Sequence, residues 1–298
     1  MLLTIAIPSF NRSEAALQTL KNLVSTSQIP DEVQLLFANN GSTDEGYLQI
    51  GEFLRRIPNA RYLNYQDNLG FSGNFLRLVS NCESKYVLVM SDEDDLDVSG
   101  IQTLLENLKT SSPNLYILRN ISSKPNTIIK LRASNLKGSS NYISGMIFNL
   151  EAIRPFLPKI SEIISEEEFG RLYPQVILGL VLFSLGQSFL CSSPTIHFRT
   201  QLPSTIRASS GNPYWHPTER VYQYLSMNRC IDKIALNLVG GDEKKLKSFK
   251  KANRRKFFGL IFDAIETIDP AIMTDFTRSS FLTSMNFEVR RMRKKFKN

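Results

Sequence analysis

The chain has 298 residues, 42% apolar, 21% charged and 10% aromatic, a globular composition that excludes disordered, collagen-like and low-complexity classes and is long enough for a large core. Three cysteines (Cys82, Cys191, Cys230) without paired spacing exclude a disulfide framework and a cysteine-based zinc site, and two histidines exclude a His-rich metal site. The net charge of +8 is unevenly placed: residues 244–298 hold 15 basic and 5 acidic residues, whereas the first hundred hold 7 basic and 13 acidic, which is not the pattern of a uniform nucleic-acid-binding surface.

The first hundred residues alternate strand and helix. Leu3 to Ile7 is a short apolar run ended by Pro8. Asn11 stands three residues before Glu14, close to a capping box, and Ala16, Leu17, Leu20, Leu23 and Val24 follow at helical spacing. Val33 to Ala38 is a second buried strand, broken by Asn39-Asn40-Gly41. Ser42-Thr43-Asp44-Glu45 reads as a capping box opening a helix with Leu48, Phe53 and Leu54 on its apolar face. Arg61 to Tyr65 is a weaker strand; Gly70-Phe71-Ser72-Gly73 leads into a helix with Phe75, Leu76 and Val79; Tyr86 to Met90 is a fourth strand running into Ser91-Asp92-Glu93-Asp94-Asp95. Strands separated by helices imply βαβ units and a largely parallel sheet.

Further on, Leu115 to Leu118, Thr127 to Leu131 and Tyr142 to Phe148 read as short strands. Glu166-Glu167-Glu168 precedes a helix from about Tyr173 to Leu185, and Thr195 to Arg199 reads as a last strand. A loop rich in Ser, Pro and Gly (Leu202 to Pro217) marks a boundary, so the expected division is 1–200 and 201–298. Beyond it the pattern is helical, with basic runs Lys244–Lys256 and Arg290–Lys297. No stretch approaches the roughly 18 apolar residues of a membrane span: the longest, Val176 to Cys191, is interrupted by Gly179, Gly186 and Gln187. The opening run is too short for a secretory signal. A soluble cytoplasmic protein is expected.

In open α/β sheets ligands bind at the carboxyl ends of the strands. Each polar cluster stands at such an end: Ser9 to Arg12, Asn39 to Asp44, Asn68 to Asn74, and Asp92 to Asp95. Four adjacent carboxylates repel one another unless a cation joins them. Mg²⁺ and Mn²⁺ want oxygen ligands, and Asp92 and Asp94 suit one such ion. The acidic turn equally suits the start of a helix, and each of the other clusters, alone, suits a turn or a cap.

Together, and in order, the four clusters resemble the donor half of a family 2 glycosyltransferase of the GT-A fold, over residues 4–96. The family pattern is met by Pro8-Ser9-Phe10-Asn11-Arg12, Asn39-Asn40-Gly41-Ser42-Thr43-Asp44, Asn68-Leu69-Gly70-Phe71-Ser72-Gly73-Asn74 and Asp92-Glu93-Asp94. The resemblance implies a Rossmann-like nucleotide-diphospho-sugar transferase domain with a helical C-terminal extension, and inverting transfer from a nucleotide-diphosphate sugar to a glycan or lipid-linked acceptor. It implies that Asp92 and Asp94 hold Mn²⁺ or Mg²⁺ against the donor diphosphate. Pro8, Phe10, Asn11 and Arg12 would line the nucleoside pocket with Asn39 and Gly41, and Asn68, Gly70 and Asn74 would close around the donor. Asn39 replaces the usual Asp; its carbonyl still accepts a hydrogen bond but its amide also donates, so a UDP-sugar is favoured while TDP, GDP and CDP donors stay open.

Inverting transfer also needs a general base. Glu167 is the candidate by position, after the loosely matching Ser144-Gly145-Met146; the alternative is a solvated acidic helix start. The resemblance offers His197 as a further metal ligand; the alternative is a partly buried strand histidine. Trp215 and Tyr214, beside His216, suit sugar stacking or a loop anchor. Lys250, Lys251, Arg254, Arg255 and Lys256 beside Phe257, Phe258, Leu260, Ile261 and Phe262 suit a helix on an anionic membrane or a solvated face over a helical subdomain. Nucleic acid is the weaker partner. A sugar nucleotidyltransferase would want a Gly-rich loop and Lys near residue 10, which is absent; a catalytically degenerate scaffold is the remaining alternative.

Overall fold

The computed structural model describes residues 1–25, 29–119, 126–139, 142–198, 216–237 and 240–268. The chain opens with β1 (Leu3–Ser9), α1 (Ser13–Ser25), β2 (Val33–Asn40), α2 (Gly46–Leu54), β3 (Ala60–Tyr65), α3 (Gly70–Ser80) and β4 (Tyr86–Val89). After the short β5 (Asp94–Leu96) come α4 (Ile101–Ser111), β6 (Leu115–Leu118), β7 (Ile128–Lys130), α5 (Ala133–Ser139) and β8 (Met146–Asn149). Then follow α6 (Leu150–Ile153), α7 (Leu157–Glu166), α8 (Glu168–Leu172), α9 (Pro174–Leu185), β9 (Ser188–Cys191), β10 (Ile196–Phe198), α10 (Pro217–Asn237) and α11 (Glu243–Ile268). Of the expected boundary loop, residues 202–215 lie outside the described residues, as do Arg199, Tyr214, Trp215 and the run Arg290–Lys297.

The main sheet has the order β3-β2-β1-β4-β8-β6-β9-β7, with β3, β2, β1 and β4 parallel and β8 and β7 antiparallel to their neighbours; β10 pairs with β5 as a separate ribbon. Side chains alternate across the sheet with a period of two. In β1, Leu3, Ile5 and Ile7 join one apolar cluster with α1, α2 and α4, while Ala6 faces the other. In β4, Tyr86 and Leu88 face the first cluster, and Val87 and Val89 the second. The second cluster includes α3, α7 and α9, and also Tyr224, Met227, Ile231, Phe249, Phe257, Phe258 and Ile261 from α10 and α11. The C-terminal helices therefore complete the core over one face of the sheet.

β1 runs two residues past the expected stop, pairing Pro8 with Ala38 and Ser9 with Asn39. Proline has no N–H to give a ladder. In a parallel strand, bonding directions alternate, and Ala6 bonds toward β4 by accepting Met90 N. Pro8 faces the same way, past the last β1–β4 pair at Ala6 and Val89, so no bond is lost. In α2 the buried face is Tyr47, Ile50, Gly51 and Leu54, at helical spacing, and Leu48 is 74% exposed rather than on the apolar face. Among the described residues no helix is long and apolar enough to cross a membrane; α9, the apolar stretch of the sequence, is buried between sheet and helices.

Candidate active site

Strand order reverses at β1. The chain steps from β1 to β2 to β3 on one side, then returns to place β4 on the other. This is the topological switch point of an open α/β sheet, where loops on the two sides separate and leave a crevice at the carboxyl ends. The Ser9–Arg12 loop follows β1 and the acidic turn follows β4, so the fold brings these two clusters to the two lips of that crevice.

Across the crevice Asp92 is fully buried and meets Arg12, whose Nη2 lies 2.7 Å from Asp92 Oδ1. The contact is one of opposed charges, since Oδ1 has no aligned hydrogen bond. Arg12 Nη1 also reaches Glu93 at 3.1 Å. Asp92 Oδ2 accepts Ser9 Oγ at 2.5 Å. Ser9 Oγ in turn lies 2.6 Å from Tyr47 Oη, which accepts Arg12 N at 3.1 Å. A chain of buried groups thus runs Tyr47–Ser9–Asp92, with every hydroxyl engaged. Burial pushes the Asp92 carboxyl up to about 6, against the opposing pull of Arg12 and Ser9. The turn is also fastened to α1, because Thr19 Oγ1 donates to Asp92 O at 2.9 Å and Asn22 Nδ2 to Asp95 at 2.9 Å.

The loops after β1 and β2 are cross-tied. Asn11 sits in the left-handed region (φ 50°), accepts Thr43 N at 3.0 Å through Oδ1, and donates its own N–H to Ser42 Oγ at 2.9 Å. Asp44 accepts Gly46 N and Ser13 N, at 2.9 and 3.1 Å, and so serves the first turns of α1 and α2 together. Its hydrogen bonds from Ser13 and Gly46 hold its carboxyl below the ordinary value. Neither expected capping box forms: Glu45 makes no capping bond, and the Asn11 and Ser42 side chains serve the neighbouring loop instead of their own helices.

Asn39 is buried, and its amide is committed. Its oxygen accepts Ser42 N at 3.0 Å and its nitrogen donates to Asn64 Oδ1 at 2.8 Å. Asn40 carries the link to the third cluster: it donates to Asn68 Oδ1 at 2.8 Å and accepts Leu69 N at 3.2 Å. Gly41 (φ 71°) lies under that loop, where an added Cβ would fall 2.7 Å from Asp67 C and 2.8 Å from Asn68 N. Gly70 (φ 68°) opens α3, its N–H held by Asn68 Oδ1 at 2.8 Å. Asn74 is buried on the inner face of α3 and its Oδ1 meets no donor. Phe10 stays exposed on the crevice lip.

Asp94 is buried on the other side of the β4 end, its Oδ2 accepting Ser144 Oγ at 2.6 Å. Asp92 and Asp94 thus flank one strand end. Among the described residues no three His, Cys, Asp or Glu stand together as a complete metal cage. The donor set still fits a hard divalent cation, because Mg²⁺-type sites take one or two carboxylates and fill the remaining positions with phosphate oxygens and water.

Two expected site residues are not brought here. His197 is exposed and pairs with Asp95 in the β5–β10 ribbon. Directly opposed residues share a face and neighbours alternate, so His197 lies on the face of Asp95 and away from that of Asp94. Its charge helps Ser99 hold the Asp97 carboxyl low. Glu167 is buried at the α7–α8 junction and turned into α10. Arg229 Nε lies 2.8 Å from Oε2, Lys233 Nζ lies 2.9 Å from Oε1, and Ser226 Oγ donates to Oε2 at 3.0 Å. Burial raises its pKa, but the bonds from Lys233, Ser226 and Arg229 outweigh it and leave the carboxyl low. A carboxylate so held fastens α10. Likewise Phe257, Phe258, Ile261 and Phe262, expected to suit a lipid surface, are buried in the core.

Tyr47, Asn64 and Arg119 were not singled out in the sequence, and Asn40 and Ser144 stood inside quoted motifs without a role of their own. Tyr47 carried a readable signal, the spacing 47, 50, 51, 54 of the α2 core face. Asn64 and Arg119 carry none.

The matching family model is "Glycosyl transferase family 2", over residues 4–164. The chain belongs to glycosyl transferase family 2. No curated protein matches the sequence. Among solved structures it is similar to Staphylococcus aureus TarS 1-349 in complex with UDP-GlcNAc (14% identity, 94% of this chain and 74% of that one, TM-score 0.60). It is also similar to the mannosyltransferase PcManGT from Pyrobaculum calidifontis in complex with GDP-Man and Mn²⁺ (8% identity, 96% and 79%, TM-score 0.56). At these identities the likeness is one of fold, the GT-A arrangement of a mostly parallel sheet flanked by helices. This family 2 glycosyltransferase has its four motif loops in that arrangement.

Proposed function

We propose that this family 2 glycosyltransferase is metal-dependent and inverting, and moves a sugar from a nucleotide-diphosphate donor to a glycan or lipid-linked acceptor. The observation that carries the reading is the meeting of Arg12 with Asp92 at the switch point of the sheet, with Asp94 flanking the same strand end. A UDP-sugar is the favoured donor, with TDP, GDP and CDP sugars as the alternatives. The names of the similar structures, one holding UDP-GlcNAc and the other GDP-Man with Mn²⁺, support a nucleotide-sugar donor and a metal in general.

Asp94, with Asp92 beside it, would hold Mn²⁺ or Mg²⁺, which neutralises charge developing on the leaving diphosphate. The chain's own residues do the rest. The tied loops after β1 and β2 present Phe10 and Arg12 as one preformed ledge with the buried Asn39 bracing it from beneath, so little ordering is left for the moment of binding. Arg12 adds a guanidinium suited to a phosphate oxygen or a carboxylate. Asn68 and Gly70 close the ledge from the third loop.

The test is calorimetric binding of UDP, TDP, GDP and CDP, each with and without Mn²⁺, to wild type and D94N. Metal-dependent binding of one diphosphate, lost in D94N, is the expected result. Folded protein that binds none of the four would overturn the reading.

A further inference from the structure

Ser144 lies outside all four motif loops, yet it is fully buried against the acidic turn. Its hydroxyl accepts Ser91 N at 2.8 Å and donates to Asp94 Oδ2 at 2.6 Å. Asp94 N in turn donates to Ser91 O at 3.4 Å. One hydroxyl therefore bridges both ends of residues 91–94. A serine has a single proton to give; the Ser91 N–H donates to the hydroxyl oxygen, so the hydroxyl's own proton goes to the Asp94 carboxylate. The bond is charge-assisted and sets which way the Asp94 carboxylate is turned.

Ser144 is itself held from behind. Its carbonyl accepts Arg119 Nη1 at 2.7 Å, and the same nitrogen donates to Leu118 O at 2.8 Å. Gly145 ties the turn to both neighbouring strands, donating to Val89 O at 3.3 Å and accepting Leu118 N at 2.8 Å. Gly145 has φ 90°, and an added Cβ would fall 2.8 Å from Arg119 Nη1 and 2.9 Å from Leu118 O. Only glycine lets the guanidinium lie against this turn. Burial pulls Arg119 down to about 10, opposed by Tyr142 and Asp94; it remains a cation at neutral pH, and its charge is felt at Asp94.

We infer that Ser144, backed by Arg119 and Gly145, is the positioning unit of Asp94: it orients the carboxylate in advance for the divalent cation of the donor complex. Partners that orient a metal ligand in this way set metal affinity although they never touch the metal. The inference rests on the transferase reading above. Ser144 is a positioning residue. A serine with a merely structural role would lower stability when removed and leave the cation requirement of the folded protein unchanged.

The test is the Mn²⁺ concentration at half-maximal nucleotide binding, measured by equilibrium dialysis against UDP, TDP, GDP and CDP in turn. Wild type, S144A, R119K and D94N are compared, with folding checked by circular dichroism. S144A should need about 10- to 100-fold more Mn²⁺, R119K a smaller excess, and binding without Mn²⁺ should equal that of wild type in both. A folded S144A with the wild-type Mn²⁺ requirement overturns the inference and leaves the transferase reading intact. If S144A does not fold, an unchanged Mn²⁺ requirement in R119K overturns it instead. Wild type that binds nucleotide with no dependence on Mn²⁺ overturns the metal reading, and this inference with it.

Discussion

Glu167 separates two accounts of the same residue, and its replacement gives opposite results under each. By position in the sequence it is the candidate general base; by geometry it fastens α10 to the α7–α8 junction. Its side chain is 5% exposed, but those of Arg229 and Lys233 are 57% and 33% exposed, so each ion pair is screened and is worth about 0.5–1 kcal/mol. The buried hydrogen bond from Ser226 to a charged oxygen adds about 1.5 kcal/mol. E167A should therefore cost about 2.5–3.5 kcal/mol, and E167Q, which keeps an acceptor for Ser226, about 1–2 kcal/mol. At this chain length the E167A loss amounts to roughly 5 °C in Tm. The pH dependence has a definite sign. The folded pKa is below the ordinary 4.5, so the contribution is present above that value and lost as pH falls through the folded value. The stability gap between wild type and E167Q should hold from neutral pH down to about 4.5 and close below it. Thermal denaturation across pH and steady-state transfer assays on the same samples measure both quantities. A general base would instead show a kcat loss of about 10²–10⁴ in E167Q with Tm unchanged, and that result would refute the fastening argument.

Other outcomes follow from the same geometry. Y47F removes the hydroxyl that receives Arg12 N and engages Ser9; nucleotide binding should weaken several-fold, about 1 kcal/mol, with little loss of Tm, as titration calorimetry would show. G41A combines φ 71° with backbone atoms closer than 3.0 Å and should lose at least about 2 kcal/mol; an unchanged urea midpoint would contradict the close approach of the third loop. F258A should cost about 3–5 kcal/mol as a core truncation and leave binding to anionic vesicles unaltered; weaker vesicle binding in a stable variant would return Phe258 to the surface. L48E, on an exposed position, should stay within about 0.5 kcal/mol of wild type in chemical denaturation.

The first hundred residues were legible because β1, β2 and β4 are buried apolar runs that stop at polar clusters. The run Val33–Ala38 ending in Asn39-Asn40-Gly41 announces both a buried strand and a strand-end loop. What local reading missed was where the loop side chains go. Asn11, Ser42 and Glu45 fit capping patterns, yet Asn11 and Ser42 bond to each other's loops, and Asp44 caps two helices at once. A pattern of four residues carries no information about a partner 31 residues away. Tyr47 was readable from helical spacing once Leu48 was placed outward. Arg119 was not, nor was the part Ser144 plays within Ser144-Gly145-Met146, because their significance lies in three strand ends that meet only in the folded sheet. The Glu166–Glu168 run and the Phe257–Phe262 stretch share one limit: charge and aromatic content in sequence do not say whether a helix turns that face to water or to another helix.

The ties between the loops after β1 and β2 also limit how this protein's donor preference could be altered. Asn11 with Thr43, Asn11 N with Ser42, and Asp44 with Ser13 make the two loops a single interlocking part. Transplanting either loop alone from another sugar transferase would strand the other's polar atoms without partners. Under the donor site proposed above, the unit to exchange is therefore the pair, roughly residues 9–13 with 39–46, moved together or not at all.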